Sequence, residues 1–365
     1  MEIIKIDLLR VVPGMIVAEA ILSNDRQIIL PRGAEITSHM INLLRKWKVP
    51  CICVKADTEI QLEHSHNGEH LEQNHLDKKF LSFVEKYRKL SRKVGSVFEY
   101  MRNNAYFPYD IFYELANSDL DELSREKDIV AYLYKLKPTL DYTYFHAMNV
   151  GIIAGVIGRW CGFEEKKVKS LILAGLVHDI GKSKIPRIIL HKAGQLSIYE
   201  REILKIHPVY GYDMAKGVRG IAPEIQYAIL QHHERENGCG YPRGLYNRQI
   251  HSFAKIVAIA DAYEAMTSNS IYKNSITPFD ALEVLTSKMF TQFDGEYCKK
   301  FICNAIQALV NSTVLLSDKT QAEVLYFNCF MSIKPVVKKL DGTLVDLSEN
   351  ADVSIVEVIR FASCF

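Results

Sequence analysis

The sequence predicts a mainly α-helical protein, a helical bundle with a small β-rich N-terminal module and a short β-rich C-terminal tail. Three observations carry this. From Tyr142 to Phe290 apolar residues recur every three or four positions, the period of a helix with one buried face. Residues 1–60 instead alternate short apolar runs such as Ile28-Ile29-Leu30 with turn signals such as Pro31-Arg32-Gly33. From Thr313 the pattern returns to β, with Val324–Phe327, 335–337 and a hairpin over 339–345 turning at Asp341-Gly342.

In chain order, the N-terminal module is expected to hold short strands, one helix over 37–47 and a strand at Cys51-Ile52-Cys53-Val54. Residues 61–76 are polar and histidine-rich and read as a linker. The helical domain is then expected over 77–312. Its first helix, 76–102, places Phe80, Phe83, Val84, Tyr87, Leu90, Val94, Phe98 and Met101 on one face and lysines and arginines on the other. That apolar stripe either packs on the next helices or forms a homodimer seam. A helical pair with an acidic middle spans 110–137, and apolar helices follow at 142–160, 171–177, 223–231 and 252–266. Ser197 and Glu200 form a capping box for a helix expected to run to His207, where Pro208 would stop it. Gly181 is expected to terminate the helix before His178. Residues 313–365 form the β tail.

The chain of 365 residues has 45 basic and 43 acidic side chains, so its net charge of +2 advertises no nucleic-acid polymer and no acidic membrane surface. Its N-terminus lacks the pattern of a signal peptide, and its most apolar run, 150–157, is too short to span a bilayer. The 8 cysteines show no Cys-x-x-Cys spacing and read as reduced thiols. Together these features point to a cytoplasmic protein without membrane insertion.

The chemistry gathers at helix ends and on apolar helices. His146 lies on the 142–160 helix, and His178-Asp179 closes the apolar run at Val177. His207 precedes a proline, His232-His233 follows the 223–231 helix, and Asp261 interrupts an apolar helix. A buried carboxylate needs a cation or hydrogen-bond donors, so Asp179 in this setting asks for a partner. Five imidazoles and two carboxylates suffice for two six-coordinate ions if Asp179 bridges and water completes the shells. Such a pair of ions is suited to displacement at phosphorus, one activating a hydroxide and both neutralising charge on phosphate oxygens. The mixed nitrogen and oxygen set, without thiolate, suits iron or manganese, with zinc, nickel and cobalt also fitting.

The run His178-Asp179-Ile180-Gly181-Lys182, then His232-His233-Glu234, Gly238-Cys239-Gly240-Tyr241-Pro242 and Asp261, closely resembles the HD-GYP domain, a subgroup of the HD hydrolases. The resemblance covers about 135–310. It implies an HD-type helical bundle with a dinuclear metal site that hydrolyses a cyclic dinucleotide, usually cyclic di-GMP, to linear pGpG and sometimes to GMP. It also implies that His146, His178, Asp179 and Asp261 hold one ion, and that Asp179, His207, His232 and His233 hold the other. Asp179 and Lys182 are the expected catalytic residues. Lys182 would face the scissile phosphate, and Gly240, Tyr241 and Lys273 would join it in binding substrate. The chain departs from the family pattern in three places. Tyr142 stands where a third-metal glutamate occurs, Ser270-Ile271-Tyr272-Lys273 replaces Arg-Pro-Tyr-Arg, and Glu236-Asn237 replaces Trp-Asp. These departures leave two alternatives, hydrolysis of another cyclic dinucleotide such as 3′,3′-cGAMP, or a metal-bound nucleotide sensor or scaffold without turnover. The extra histidines and the Gly-Tyr-Pro loop argue against a mononucleotide substrate. The signal reaching the N-terminal module is not legible.

Overall fold

The computed structural model describes residues 2–7, 15–19, 21–22, 28–30, 32–34, 36, 40, 44, 51–56, 69–104, 106–136, 142–192, 194–268, 275–327, 333–350 and 352–361. The expected 37–47 helix lies almost wholly outside them, as do Ser270, Tyr272, Lys273 and the side chain of Tyr142. The chain divides into two compact units, 1–72 and 73–365.

In the first unit β1 (Glu2–Asp7) pairs antiparallel with β4 (Cys51–Ala56), placing Ile4 opposite Val54. β2 (Ile21–Leu22) pairs with β3 (Ile28–Leu30). Val17, Ile21, Leu30, Ile36, Leu44 and Ile52 make a small core of their own.

Helix α1 (Glu69–Asn104) starts earlier than its apolar stripe, so the end of the expected linker is helical. Phe83, Tyr87, Leu90, Val94, Phe98 and Met101 are buried in the core of the second unit. The stripe is therefore spent within the chain instead of on a dimer seam. The expected helical pair is three short helices, α2 (Tyr109–Asn117), α3 (Asp119–Leu123) and α4 (Ile129–Lys135). α5 (Tyr142–Trp160) and α6 (Glu165–Val177) then form a tight hairpin. Gly151 and Gly175 meet at its crossing, where a Cβ on Gly175 would lie 2.7 Å from the Gly151 Cα. The hairpin brings the start of α5 beside the end of α6, and with them His146 beside His178.

After a 3₁₀ turn (Ile180–Lys184) come α7 (Arg187–Leu190) and α8 (Ile198–Leu204), the latter capped by the Ser197 and Glu200 box. α8 stops at Leu204, short of the expected end at His207. Pro208 does not stop a helix but sits in the first turn of α9 (His207–Lys216), where its missing N–H costs nothing. α10 (Pro223–Gln231), α11 (Ser252–Thr267), α12 (Pro278–Lys288) and α13 (Gly295–Gln307) complete the helices. The antiparallel sheet near the C-terminus has strand order β8-β7-β6-β5-β9, from β5 (Thr313–Leu316), β6 (Gln321–Phe327), β7 (Pro335–Lys339), β8 (Leu344–Asp346) and β9 (Ile355–Arg360). Its Val314, Val324 and Val337 belong to the same core as the helices. Among the described residues no helix is long and apolar enough to cross a membrane.

Candidate metal centre

The ends of α6 and α10, the starts of α5 and α9, and the middle of α11 converge on Asp179. Five of the seven expected residues lie at helix ends, and for three of them the ends supply the orientation. The last carbonyls of a helix have no partner within it. His178 closes α6 and donates Nδ1–H to the Gly175 carbonyl at 2.6 Å, and His232 closes α10 and donates to Ile229 at 2.9 Å. His207 opens α9 and donates to the Leu204 carbonyl, at the end of α8, at 2.8 Å. Each bond fixes a tautomer whose Nε2 lone pair faces the centre.

The two oxygens of Asp179 divide the surrounding imidazoles. Oδ1 lies 3.1 Å from His207 Nε2 and 3.7 Å from His232 Nε2. Oδ2 lies 3.2 Å from His178 Nε2 and 3.7 Å from His146 Nε2, with Lys182 Nζ at 2.5 Å. Asp261 Oδ1 lies 3.2 Å from His146 Nε2. Among the described residues, Asp179 with His207, His232 and His233 forms one group that could hold a metal ion, and His146, His178 and Asp179 form another.

This donor set fits a divalent cation. His178 Nε2 and Asp179 Oδ1 are buried without a hydrogen-bond partner, each an arrangement that costs about 1–3 kcal/mol unless compensated. The Nε2 atoms of His207 and His232 face each other at 3.3 Å although both rings carry their proton on Nδ1. A cation between them would offset the repulsion of two facing lone pairs. Burial pushes the His233 imidazole down to about 3 despite the Asp261 carboxylate, and burial with the neighbouring histidines holds His232 well below its ordinary range. Both rings are therefore neutral donors at neutral pH. Burial alone would raise Asp179, but its interactions with His178 and the Lys182 ammonium hold it well below the usual carboxylate range. Burial would likewise lower His146, but Glu264 and Asp261 push it up to about 10. Metal binding there displaces a well-held proton.

Residues outside the expected set complete the centre. Glu264, one helical turn beyond Asp261 on α11, is buried with Oε2 at 2.5 Å from His146 Nδ1. A carboxylate on an apolar helix three residues after another was the available signal. Asn149 bonds to Glu264 and Tyr87 to Asn149, and no pattern in the sequence marks them. Glu234 is buried and accepts from the backbone N–H of Arg243 at 2.7 Å and of Leu245 at 2.9 Å, tying down the loop that follows Gly240. In that loop Gly238 takes a left-handed angle, φ +74°, whereas Gly240 is needed for close approach, since its Cβ would lie 2.4 Å from the Glu234 Cα. The Tyr241 ring stacks on His233, centroids 4.6 Å apart. Gly181 does not end α6 in a left-handed turn. It lies in the 3₁₀ turn, where a Cβ would fall 1.9 Å from the His207 carbonyl oxygen. Two departures from the family pattern have local roles, as Glu236 pairs with Lys255 at 3.2 Å and the Asn237 side chain accepts from the Cys239 N–H at 3.1 Å.

The HD domain family model matches residues 112–297, about half of the chain. The chain belongs to the HD domain family. Its His178-Asp179 pair and its Gly240-Tyr241-Pro242 loop mark the HD-GYP type. It is 34% identical over 190 residues to a cyclic di-GMP phosphodiesterase of Pseudomonas aeruginosa, covering 51% of this chain and 46% of that protein. It is 39% identical over 155 residues to a cyclic di-GMP phosphodiesterase of Thermotoga maritima, covering 41% and 42% respectively. It is 33% identical over 144 residues to the 3′3′-cGAMP-specific phosphodiesterase 1 of Vibrio cholerae, covering 40% and 33%. The chain thus spans less than half the length of these relatives. An HDG"Y"P protein from Bdellovibrio bacteriovorus shares the fold, with TM-score 0.50 at 15% identity over 83% of this chain and 99% of that one.

Proposed function

We propose that this HD-GYP chain is a metal-dependent phosphodiesterase that hydrolyses cyclic di-GMP to linear pGpG, with residues 77–312 as its catalytic domain. The observation that carries this reading is the division of imidazoles between the two oxygens of Asp179. In this reading His146, His178, Asp179 and Asp261 hold one divalent ion and Asp179, His207, His232 and His233 the other, with iron or manganese suiting the donors. Such ions, when bound, supply an activated water and neutralise charge on the phosphate.

The chain's own residues do the rest. The Lys182 ammonium, half-buried beside Asp179, is placed to donate to a phosphate oxygen as charge grows there. Tyr241, packed on His233, and Gly240 form a rigid rim on which a nucleotide can rest. Lys273 is the further substrate contact suggested by its place in the motif. Hydrolysis joins a water oxygen to phosphorus and breaks the P–O3′ ester bond, leaving a 5′-phosphate and a 3′-hydroxyl on the linear product.

Hydrolysis of 3′,3′-cGAMP is the second reading. It is favoured by the resemblance to the Vibrio cholerae relative of that specificity and by Ser270 where the family carries an arginine. The deciding experiment incubates purified, metal-analysed protein with cyclic di-GMP, 3′,3′-cGAMP and pGpG and separates the products by chromatography. Conversion of cyclic di-GMP to pGpG supports the first reading, and turnover of 3′,3′-cGAMP alone supports the second. No turnover of any of them with metal bound would leave a nucleotide sensor or scaffold.

A further inference from the structure

A buried hydrogen-bond relay runs from helix α1 to the metal centre. The Tyr87 hydroxyl donates to Asn149 Oδ1 at 2.6 Å, and the Asn149 amide Nδ2 donates to Glu264 Oε1 at 3.0 Å. Ser268 Oγ donates to the same oxygen at 2.6 Å, and Glu264 Oε2 lies 2.5 Å from His146 Nδ1. Tyr87, Asn149 and Glu264 are all at most 1% exposed, so no bulk water substitutes for a missing member. Tyr87 lies outside the 112–297 match to the HD domain, and its ring is wedged against Phe83 and Phe145, centroids at 5.8 and 4.9 Å.

The polarity of the relay is set by Glu264 and held from the α1 end. Asn149 can turn its amide by 180° at little steric cost, which would aim a carbonyl oxygen at the Glu264 carboxylate. The acceptor-only Glu264 carboxylate draws the amide N–H to itself, and the Tyr87 hydroxyl, donating to Asn149 Oδ1, locks that orientation from the other side. Glu264 then presents Oε2 to His146 Nδ1, and His146 presents Nε2 toward Asp179 and Asp261. Partners of this kind, behind a metal-binding histidine, typically change metal affinity 10–100-fold when lost.

We propose that Tyr87 is a positioning residue of the metal centre, so that α1, a helix outside the HD core, is part of the machinery that holds His146. The proposal rests on the metal-binding reading above. It makes the metal affinity of this site answer to the placement of α1.

The test is metal titration of the full chain with manganese, followed by calorimetry and elemental analysis after gel filtration. Tyr87→Phe keeps the ring and removes only the hydroxyl. It is expected to weaken the ion held by His146 about tenfold, leave the other ion unchanged, and recover wild-type occupancy at high manganese. Glu264→Gln is expected to weaken the same ion, and the double variant to be no weaker than the worse single one, because members of one relay do not add. His146→Ala separates the proposal from the reading it rests on. If His146→Ala keeps full metal content, the metal assignment itself fails. If His146→Ala loses an ion while Tyr87→Phe titrates as wild type, or if the Tyr87 and Glu264 effects simply add, the relay is refuted. Should Tyr87→Phe fold poorly, the comparison is carried by Asn149→Asp. It places an acidic oxygen against Glu264 and must weaken the same ion for the relay to stand.

Discussion

Each oxygen of Asp179 faces its own set of imidazoles, so the loss of this one carboxylate should be felt at both halves of the centre. Asp179→Ala is expected to reduce bound metal from about two ions per chain to nearly none, the consequence of removing a shared ligand. His233→Ala should cost one ion only. Elemental analysis of the two variants decides the matter, and unchanged content in Asp179→Ala would exclude a bridging role. Lys182 contacts the same carboxylate but carries no lone pair at neutral pH. Burial disfavours its charge, but Asp179 more than restores it, raising the ammonium above its usual range. Lys182→Ala should therefore lower turnover about 100-fold, the order for one electrostatic stabiliser, at wild-type metal content. Wild-type rates would assign the lysine a purely structural part. The residue types of the candidate metal centre and their spacing were legible in the sequence, because burying so many ionisable groups on apolar helices is costly without a common partner. Glu264 was half-legible and Asn149 and Tyr87 were not, since they act through one another and only proximity reveals that.

At the scale of elements, helix ends both place and orient the ligands. The orphan carbonyls of α6 and α10 take the Nδ1 protons of His178 and His232, so the histidines cap the helices that carry them. α9 must approach the 3₁₀ turn closely for His207 to reach Asp179, and Gly181 permits it. Gly181→Ala would put a Cβ 1.9 Å from the His207 carbonyl and 2.5 Å from the Gly211 nitrogen. Separating the two elements is expected to cost about 1–3 kcal/mol and to weaken the His207 side of the centre. Thermal unfolding of the chelated variant reads the first effect, and manganese titration reads the second. An alanine variant equal to wild type in both would show that the turn and α9 yield without consequence. The expected role of Gly181 as a helix terminator failed because glycine in a sequence signals two things, a left-handed angle or the absence of a Cβ, and only the neighbouring element tells which applies. The same holds for Pro208, which blocks the continuation of a helix and equally suits the start of one.

For the second unit as a whole, the centre gathers lone pairs and carboxylates from α5, α6, α9, α10 and α11, elements spread over more than a hundred residues of chain. The unfolded chain cannot present them together, so metal binding should be linked to global stability. Free metal at about 100 times its dissociation constant is expected to add about 2.7 kcal/mol to unfolding. Differential scanning calorimetry of chelated and manganese-saturated protein measures this as a rise in the midpoint that depends on metal concentration. A midpoint indifferent to the metal would mean that the folded state gains no ion the unfolded chain lacks. The β tail shares its core with the helices, and α1 buries its apolar stripe there too. The unit probed by such an unfolding experiment thus extends beyond the family match on both sides.

The sequence by itself determined the mainly helical class, the β-rich ends, the family, and the seven residues of the candidate centre. These depend on local periodicity, on turn chemistry and on residue types whose burial demands compensation. Tertiary structure alone decided which Asp179 oxygen meets which imidazole, where His207 begins a helix, why Gly181 and Gly240 lack side chains, and that Tyr87 on α1 reaches His146 through Asn149 and Glu264. The physical reason is range. A helical period or a cap is set by neighbours within a few residues, whereas a shared carboxylate or a buried relay joins residues from different helices, such as Tyr87 and Asn149, 62 positions apart, and exists only once the helices have packed.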